Sequence, residues 1–357
     1  MELDFSPLER LCGEIWPGEP VEISPMTGGA STRKYFRVTP QDGGKSVVAM
    51  FVPDGPKPEE IQNGAASDRW PFLEVRDLLA GRGVDVPNVF AEDTARGWLL
   101  LEDLGEDTLA NYLSRAPNEK AALYTCAVRD LAEAQASLRE LPPGCVVGGR
   151  SFDVTLLRWE IDHFREWGLD ARGKSLSTED RAAFDAIADR LAERVAKLSR
   201  GFTHRDYQSR NLMVRSSSPK ADKPYGLVWI DFQDALLGPR VYDLVALLND
   251  SYQSFSREFV EARLAEYAEA AGLDEAAKKG LVTEFDLVTV QRKLKDAGRF
   301  VFIDRQKKNP SFLKFVTPTV AKVGKALDRL ASTDDDMKKL RTILERVVGD
   351  ELSQPVS

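Results

Sequence analysis

The chain has 357 residues, of which 43% are hydrophobic and 30% are charged, a composition typical of soluble globular proteins. Its 49 Lys and Arg residues against 57 Asp and Glu residues give a net charge of −8 at pH 7. That balance argues against a general binder of nucleic acids or of anionic membranes. Only two His and three scattered Cys are present, so a zinc site of the usual His/Cys type is not expected.

The first residues, Met1 to Asp4, are acidic and are not followed by an apolar run, so we expect no signal peptide. The longest apolar stretches, such as 47–52, are far too short to span a bilayer. We therefore expect a cytoplasmic protein with no membrane or nucleic-acid partner, and nothing in the sequence indicates an obligate protein partner.

Short β-rich segments dominate the first hundred residues. The turn-rich segment 27–32 precedes a strand over 34–38, and a Gly-containing turn joins that strand to another over 47–52, which is typical of a hairpin. Apolar side chains have helical spacing over 70–79, and residues 98–101 form a further short apolar strand.

Beyond Gly105 the sequence is mainly helical. A single β interruption, residues 202–232, contains apolar strands over 212–215 and 227–230. The other periodic segments are predicted as amphipathic helices: 108–113, 119–138, 155–167, 178–198 and most of the chain beyond 241. The fold class is therefore predicted as α+β and bilobal. Residues 1–104 are predicted to form a small β-rich N-lobe, and residues 105–357 a larger, mainly helical C-lobe. A cleft between two lobes is a common cofactor site.

The residues that carry chemistry lie in the β interruption. Residues 204–211 read H-R-D-Y-Q-S-R-N and fit H-R-D-x-x-x-x-N, the catalytic loop of kinases. Asp206 is suited to orient an acceptor hydroxyl and take its proton. Asn211 and Asp231, the latter at the end of an apolar strand, offer the oxygen ligands that Mg²⁺ prefers.

Each of these three residues also has a simpler interpretation. Asp206 and Asn211 could be turn residues, and Asp231 could merely end a strand. Their order, and their placement on a hairpin within a helical region, favour phosphoryl transfer over three independent coincidences.

A competing motif is present at residues 168–175, which read G-L-D-A-R-G-K-S. The letters match G-x-x-x-x-G-K-[ST], the phosphate loop of P-loop NTPases. That loop requires a preceding strand, whereas Leu157, Ile161 and Phe164 recur at helical spacing. The glycines are therefore interpreted as a helix-ending loop, with Ser177 or Thr178 capping the next helix.

Nucleotide contacts are predicted at two places in the N-lobe. Backbone N–H groups of the turn-rich segment can cradle phosphates, as Gly-rich loops do; the candidates are Gly28, Gly29, Ser31 and Thr32. The segment from Glu102 to Leu104 is where an adenine could bind backbone groups. Asp243 could cap a helix or brace the catalytic loop through backbone N–H groups.

Taken together, the motifs resemble the aminoglycoside phosphotransferase family, which has a protein-kinase-like fold. The resemblance rests on residues 204–213, on 231–235 (D-F-Q-D-A) and on 238–244. It is closer to one branch, the anomeric kinases of N-acetylmuramate and N-acetylglucosamine of bacterial cell-wall recycling. Residues 31–37 and 291–295, with Gly298 and Phe300, also look like that branch.

The resemblance implies a catalytic base at Asp206, Mg²⁺ ligands at Asn211 and Asp231, ATP as the donor and a sugar 1-phosphate as the product. The sequence departs from kinases at the third strand, where Met50 stands in the place of a phosphate-binding Lys. Arg33 or the neighbouring Lys34 could substitute as the cation. The departure leaves open a pseudokinase that binds nucleotide without turnover.

The acceptor is expected to be a small amino sugar. A muramate carboxylate would favour a cation; the candidates are Arg158, Arg210, Arg292 and Lys295, each of which could instead lie on a solvated helix face. Glu160 could bind sugar hydroxyls and Trp167 could stack on a sugar ring, although core packing is the alternative for the Trp. Gln233 and Asp234, in the D-F-Q-D-A segment, are further candidates. An aminoglycoside or another alcohol is the alternative acceptor.

Overall fold

The computed structural model describes residues 3–26, 33–53, 69–215 and 225–355 of the chain. Within them, a five-stranded antiparallel sheet precedes a mainly helical remainder. The α+β, bilobal class predicted from the sequence is thus confirmed, while the boundary at residue 104 stays a prediction.

The N-terminal sheet has the strand order β1-β2-β3-β5-β4. Its strands are β1 (Val21–Pro25), β2 (Lys34–Pro40), β3 (Val47–Phe51), β4 (Val89–Asp93) and β5 (Trp98–Glu102). The predicted hairpin is β2 and β3, in register with Tyr35 opposite Met50. The phosphate-loop candidates Gly28, Gly29, Ser31 and Thr32 fall between β1 and β2 but lie outside the described residues.

Three elements of this region, helix α1 (Ser6–Ile15) and strands β1 and β4, are missing from the sequence prediction. Helix α1 forms because its apolar residues Leu8, Leu11 and Cys12 share one face. That face packs with Trp98 in a small core on one side of the sheet. Strand β4 alternates between partly buried and exposed residues at the sheet edge, so its sequence carries little apolar signal.

The other face of the sheet contacts helix α2 (Pro71–Ala80) and the helical part. Successive strand residues point to opposite faces, so Ala49 lies in the small core while Met50 lies in the large one. The large core continues without a break into the helical part, so the two lobes share one apolar interior.

The helical part contains α3 (Leu109–Arg115), α4 (Lys120–Ser137), α5 (Val154–His163), α6 (Thr178–Ala196), α7 (Tyr242–Leu248), α8 (Arg257–Ala270), α9 (Glu275–Lys307), α10 (Val316–Leu330) and α11 (Asp335–Leu352). A π-helical turn, Phe164–Leu169, extends α5, and a 3₁₀ segment, Pro310–Phe315, precedes α10. In the described parts of the chain, no helix combines the length and apolarity needed to cross a bilayer.

Two short antiparallel pairs interrupt the helices. Strands β7 (Leu212–Arg215) and β8 (Gly226–Trp229) form the predicted hairpin. Strand β6 (Arg200–Thr203) pairs with β9 (Leu236–Pro239), which the sequence did not predict. A four-residue strand ending in Pro gives almost no periodic signal. These pairs place the ends of β6, β7 and β8 next to one another, and the candidate site is built there.

Candidate active site

The catalytic loop begins where β6 ends, in a turn that a buried carboxylate holds. Arg205 has a positive φ of 80°, which costs free energy for a residue other than Gly. Asp243 offsets that cost by accepting hydrogen bonds from the backbone N–H groups of His204 (2.7 Å) and Arg205 (2.9 Å). Helix α7 shows no side-chain cap at its N-terminus. Of the two roles considered for Asp243, bracing the loop is therefore the one observed.

Two further contacts fix the middle of the loop. Ser209 donates its backbone N–H (3.0 Å) and its hydroxyl to the carboxylate of Asp250. The hydroxyl of Tyr207 donates to the carbonyl of Ala127 on α4, at 2.9 Å. Ser209, Tyr207 and Asp250 are all buried, so the loop is pre-organised by satisfied interior hydrogen bonds.

Asp206 lies between these anchors, with its side chain 36% exposed. Arg292 of α9 donates to the carbonyl of Arg205 (2.7 Å) and approaches Asp206 Oδ1 (3.4 Å). Burial alone would raise the pKa of Asp206, but the positive charges of Lys295 and Arg292 outweigh it and hold that pKa below its ordinary value. Asp206 is therefore ionised at neutral pH.

Asn211 and Asp231 adjoin Asp206 through the β7–β8 pair. The side-chain amide of Asn211 donates to the carbonyl of Asp206 (2.9 Å), which directs its Oδ1 away from that contact. The backbone N–H of Ile230 donates to the carbonyl of Asn211 (3.0 Å), which joins the two ligand-bearing segments. Asp231 has a φ of 63° and its side chain is 44% exposed. Burial and the charge of Asp206 raise the pKa of Asp231, so a bound cation would stabilise its charge.

These observations fit a divalent cation. Asn211 and Asp231 supply amide and carboxylate oxygens, and the negative charge around Asp231 is only partly compensated. The guanidinium of Arg33 lies 3.4 Å from Asp231 Oδ1, so this corner already attracts one cation. Asn211 and Asp231 would hold Mg²⁺, which would supply positive charge to neutralise the phosphates of a nucleotide.

Strand β3 carries no cation at the position where kinases have a Lys. Met50 faces the large core and is fully buried, so its position supplies no charge to the cleft. Arg33 precedes β2 and reaches across to Asp231. The prediction that Arg33 replaces the usual Lys is therefore supported by position, whereas Lys34 is exposed on the strand.

The hinge segment, residues 102–104, uses its carboxylates internally. Glu102 pairs with Arg215 and accepts from the side chain of Asn88 (2.9 Å). Asp103 accepts from Arg37 Nε (2.7 Å) and the hydroxyl of Ser46 (2.6 Å). An adenine bound at Glu102 or Leu104 would thus contact backbone groups.

Several substrate candidates gather around Asp206. Arg292 and Lys295 approach it from α9, as described above. Arg210 is exposed and its guanidinium stacks on the ring of Tyr252, 3.6 Å from the centroid. Phe315 packs edge-on against Tyr252 at 4.8 Å. Sequence reasoning missed these two aromatic residues because Tyr252 lies in a turn and Phe315 in a short 3₁₀ segment, and neither gives a periodic signal.

Gln233 and Asp234 lie beside the metal candidate. The amide of Gln233 donates to Asp231 (2.9 Å) and to Asp234 (3.3 Å). Gln233 is only 5% exposed and its amide is engaged by these two carboxylates, so its role as a substrate contact stays a prediction.

The structure does not bring Arg158, Glu160 and Trp167 to the site as free groups. Arg158 is held by three carboxylates: Asp162, Asp185 and Asp189. Glu160 is fully buried and accepts from Tyr242 (3.2 Å) and Gln291 (2.8 Å). Trp167 packs edge-on against Phe302 at 5.1 Å. Periodicity placed these residues on a helix, but it could not tell which face was already occupied by other helices.

The G-x-x-x-x-G-K-S match does not form a phosphate loop. Gly168 lies within the π-helical turn that extends α5, so a helix and not a strand precedes the glycines. Lys174 pairs with Glu351 of α11 at 2.6 Å. The helix-ending interpretation is confirmed.

Comparison with known proteins then places this site in a family. The sequence profile of the phosphotransferase enzyme family matches residues 22–278, which include the sheet, the catalytic loop and Asp231. The chain belongs to this family. The family contains enzymes that transfer phosphoryl groups, so the membership favours a kinase over a nucleotide-binding protein without turnover.

Two curated relatives of this sequence carry the same protein name. An N-acetylmuramate/N-acetylglucosamine kinase of Pseudomonas aeruginosa is 35% identical over 87% of this chain and 86% of its own. The protein of the same name from Neisseria meningitidis is 31% identical over 94% of each chain. The resemblance to that branch is confirmed, and the aminoglycoside alternative is not favoured.

Solved structures share the fold at much lower identity. The GDP complex of aminoglycoside 2'-phosphotransferase-IIIa superposes with a TM-score of 0.57 at 13% identity, covering 90% of this chain and 97% of that one. A microcompartment-associated aminopropanol kinase gives a TM-score of 0.57 at 17% identity, with 93% and 99% covered. At these identities the likeness concerns the fold alone.

Proposed function

We propose that this protein transfers the γ-phosphoryl group of ATP to the anomeric hydroxyl of N-acetylmuramate or N-acetylglucosamine, giving the sugar 1-phosphate. The observation that carries the proposal is an ionised Asp206, held beside Asn211 and Asp231 on a braced catalytic loop. The sugars are those named for the curated relatives. Such a reaction belongs to the reuse of cell-wall sugars in the bacterial cytoplasm.

The chemistry assigns each group a task. The anomeric oxygen attacks the γ-phosphorus while the bond from that phosphorus to the β,γ-bridging oxygen breaks, releasing ADP. Asp206 orients the attacking hydroxyl and takes its proton. A carboxylate with a low pKa is a weak base, but a loose transition state demands orientation more than early proton removal. Arg33 contributes positive charge on the phosphate side.

The acceptor is proposed to lie on the α9 side of Asp206. Lys295 and Arg210 bring positive charge there, and the ring of Tyr252 holds the Arg210 guanidinium in place. A carboxylate on the acceptor would gain charge-assisted hydrogen bonds from such cations, which suits N-acetylmuramate. Arg292 is buried and already bonded to the loop, so it positions Asp206 instead.

The deciding experiment is phosphorus-31 NMR of the product formed from N-acetylmuramate, ATP and Mg²⁺. We expect a phosphate resonance coupled to the anomeric proton. A phosphate on any other hydroxyl, or preferential use of an aminoglycoside, would overturn the acceptor assignment.

The matched variant is Asp206→Asn, which keeps the shape of the side chain but cannot accept the proton. We expect kcat to fall by at least about a hundredfold, with an unchanged melting temperature and unchanged ADP binding. Full turnover in this variant would remove Asp206 from the mechanism, and ADP binding without any turnover in the wild type would identify a pseudokinase.

A further inference from the structure

A half-buried arginine outside the catalytic motifs contacts the segment that carries Asp231. Arg150 lies in the irregular segment between α4 and α5. Its Nη1 donates to the backbone carbonyl of Gln233 at 2.8 Å. Its own carbonyl accepts from the N–H of Leu237 at 3.0 Å. Arg150 thus fixes both ends of a five-residue stretch that begins two residues after Asp231.

The contact made by Arg150 continues directly to the proposed cation site. Gln233, whose carbonyl Arg150 holds, donates its side-chain amide to Asp231 Oδ1 at 2.9 Å. A carbonyl and a side chain on the same residue move together when the backbone turns. Holding the carbonyl therefore fixes the direction in which the amide meets Asp231, and hence the oxygen that Asp231 presents.

Helix α2 is attached to the same segment. Glu74 accepts a hydrogen bond from the backbone N–H of Val146, four residues before Arg150. Phe72, also on α2, stacks on Phe232 with ring centroids 5.0 Å apart. The carboxylate of Glu74 therefore binds the segment that carries Arg150. At position 50 of β3 it would find no cation to pair with, because Met50 is uncharged.

Arg150 occupies its place at a cost. Its Nε is buried and has no acceptor among the described residues, and Glu74 Oε2 is buried and has no donor among them. An unsatisfied buried polar group costs about 1–3 kcal/mol. An apolar side chain could pack at this position without that cost. What an apolar side chain could not supply is the hydrogen bond to the Gln233 carbonyl.

We infer that Arg150 is a positioning residue for the divalent-cation site: it holds the Gln233 carbonyl, and Gln233 in turn sets the geometry of Asp231. The inference rests on the cation site of the proposed function. Groups that orient a metal ligand commonly control metal affinity without touching the metal.

The test measures cation binding directly. Mn²⁺ is titrated into the full-length protein saturated with ADP, and free Mn²⁺ is read by electron paramagnetic resonance. In Arg150→Met we expect the Kd for Mn²⁺ to rise about tenfold. ADP binding in EDTA should stay at its wild-type value, because that measurement needs no cation.

The matched control is Arg139→Met, which removes an exposed arginine from the same connecting segment and should leave the Mn²⁺ affinity unchanged. Gln233→Leu should weaken Mn²⁺ binding as Arg150→Met does. The double variant should lose less than the sum of the two single losses, because both residues act through one contact.

An unchanged Mn²⁺ affinity in a folded Arg150→Met protein would overturn the inference. So would an equal loss of ADP binding in EDTA, since that would indicate a general disturbance of the cleft. If Arg150→Met does not fold, Gln233→Leu decides, because unchanged Mn²⁺ binding there breaks the proposed connection. No sugar is present in these titrations, so a failure of the acceptor assignment would not affect them.

Discussion

At the scale of single residues, the site depends on backbone conformations that the sequence does not announce. Arg205 and Asp231 both adopt positive φ angles of 80° and 63°, a region that L side chains rarely occupy. The turn at Arg205 is held by Asp243, which is distant in sequence, while Asp231 accepts a hydrogen bond from the nearby Gln233. The motif letters indicated the chemical groups, but these contacts decide how the groups are oriented.

The position of Arg292 leads to a prediction about pH. Its guanidinium lies 3.4 Å from Asp206 and contributes to the lowered pKa of that carboxyl. In the proposed mechanism Asp206 acts in its deprotonated form, so removing this charge in Arg292→Met should move the acid limb of the kcat/KM profile to higher pH.

The control for that prediction is Arg305→Met, which alters an exposed arginine on the same helix. Its pH profile should coincide with that of the wild type. An acid limb in Arg292→Met that does not move would show that Arg292 has no electrostatic effect on the base.

At the scale of elements, the long helix α9 is decisive because it contacts the catalytic loop from one side and α5 from the other. Gly298 permits the second contact: a Cβ there would lie 2.6 Å from the carbonyl oxygen of His163 and 2.8 Å from Phe164 Cα. Both are backbone atoms and cannot rotate away. The two helices can therefore approach this closely only at a residue without a side chain.

Two Gly→Ala substitutions on α9 should have opposite effects. Gly298→Ala should destabilise the protein by about 1–3 kcal/mol, since it forces two backbones apart. Gly280→Ala places its Cβ no closer than 3.8 Å to a flexible Glu284 side chain, so higher helix propensity should stabilise by up to about 1 kcal/mol. Urea denaturation measures both, and equal effects would contradict the packing argument.

At the scale of the whole molecule, a buried lysine joins the C-terminal helices to the loop that supports the active site. Lys322 of α10 is 5% exposed, donates to the carbonyl of Gln253 at 2.7 Å and also donates to the carbonyl of Asp250. Asp250 in turn holds Ser209 of the catalytic loop. The stability of the helical part and the geometry of the catalytic loop are thus connected through one amino group.

That lysine predicts how global stability depends on pH. Burial, with a smaller contribution from the charge of Lys293, lowers the pKa of Lys322 to about 7, against the opposing charges of Asp250 and Asp296. Between pH 7 and about 10 the unfolded state holds one more proton at this site than the folded state. The free energy of unfolding should therefore rise with pH, by at most about 1.4 kcal/mol per unit from this residue.

The measurement compares urea denaturation at pH 7 and pH 9. The increase seen in the wild type should be smaller in Lys322→Met, which has no group to titrate. Lys325→Met, an exposed lysine on the same helix, should keep the wild-type increase. If Lys322→Met shows the same increase as well, the lysine is not the source.

The sequence by itself predicted the chemistry: H-R-D-x-x-x-x-N and a strand-ending Asp231 indicate the proposed base and the proposed oxygen ligands, because phosphoryl transfer needs those groups in that order. It also predicted the β2–β3 and β7–β8 hairpins, since local turns and apolar runs specify them. The tertiary structure alone decided which charged side chains contact the candidate site. Arg158 and Arg292 are both helical arginines by pattern, yet one is neutralised by three carboxylates and the other reaches Asp206. Helical spacing specifies a face, whereas the partner of that face depends on contacts between residues far apart in the chain.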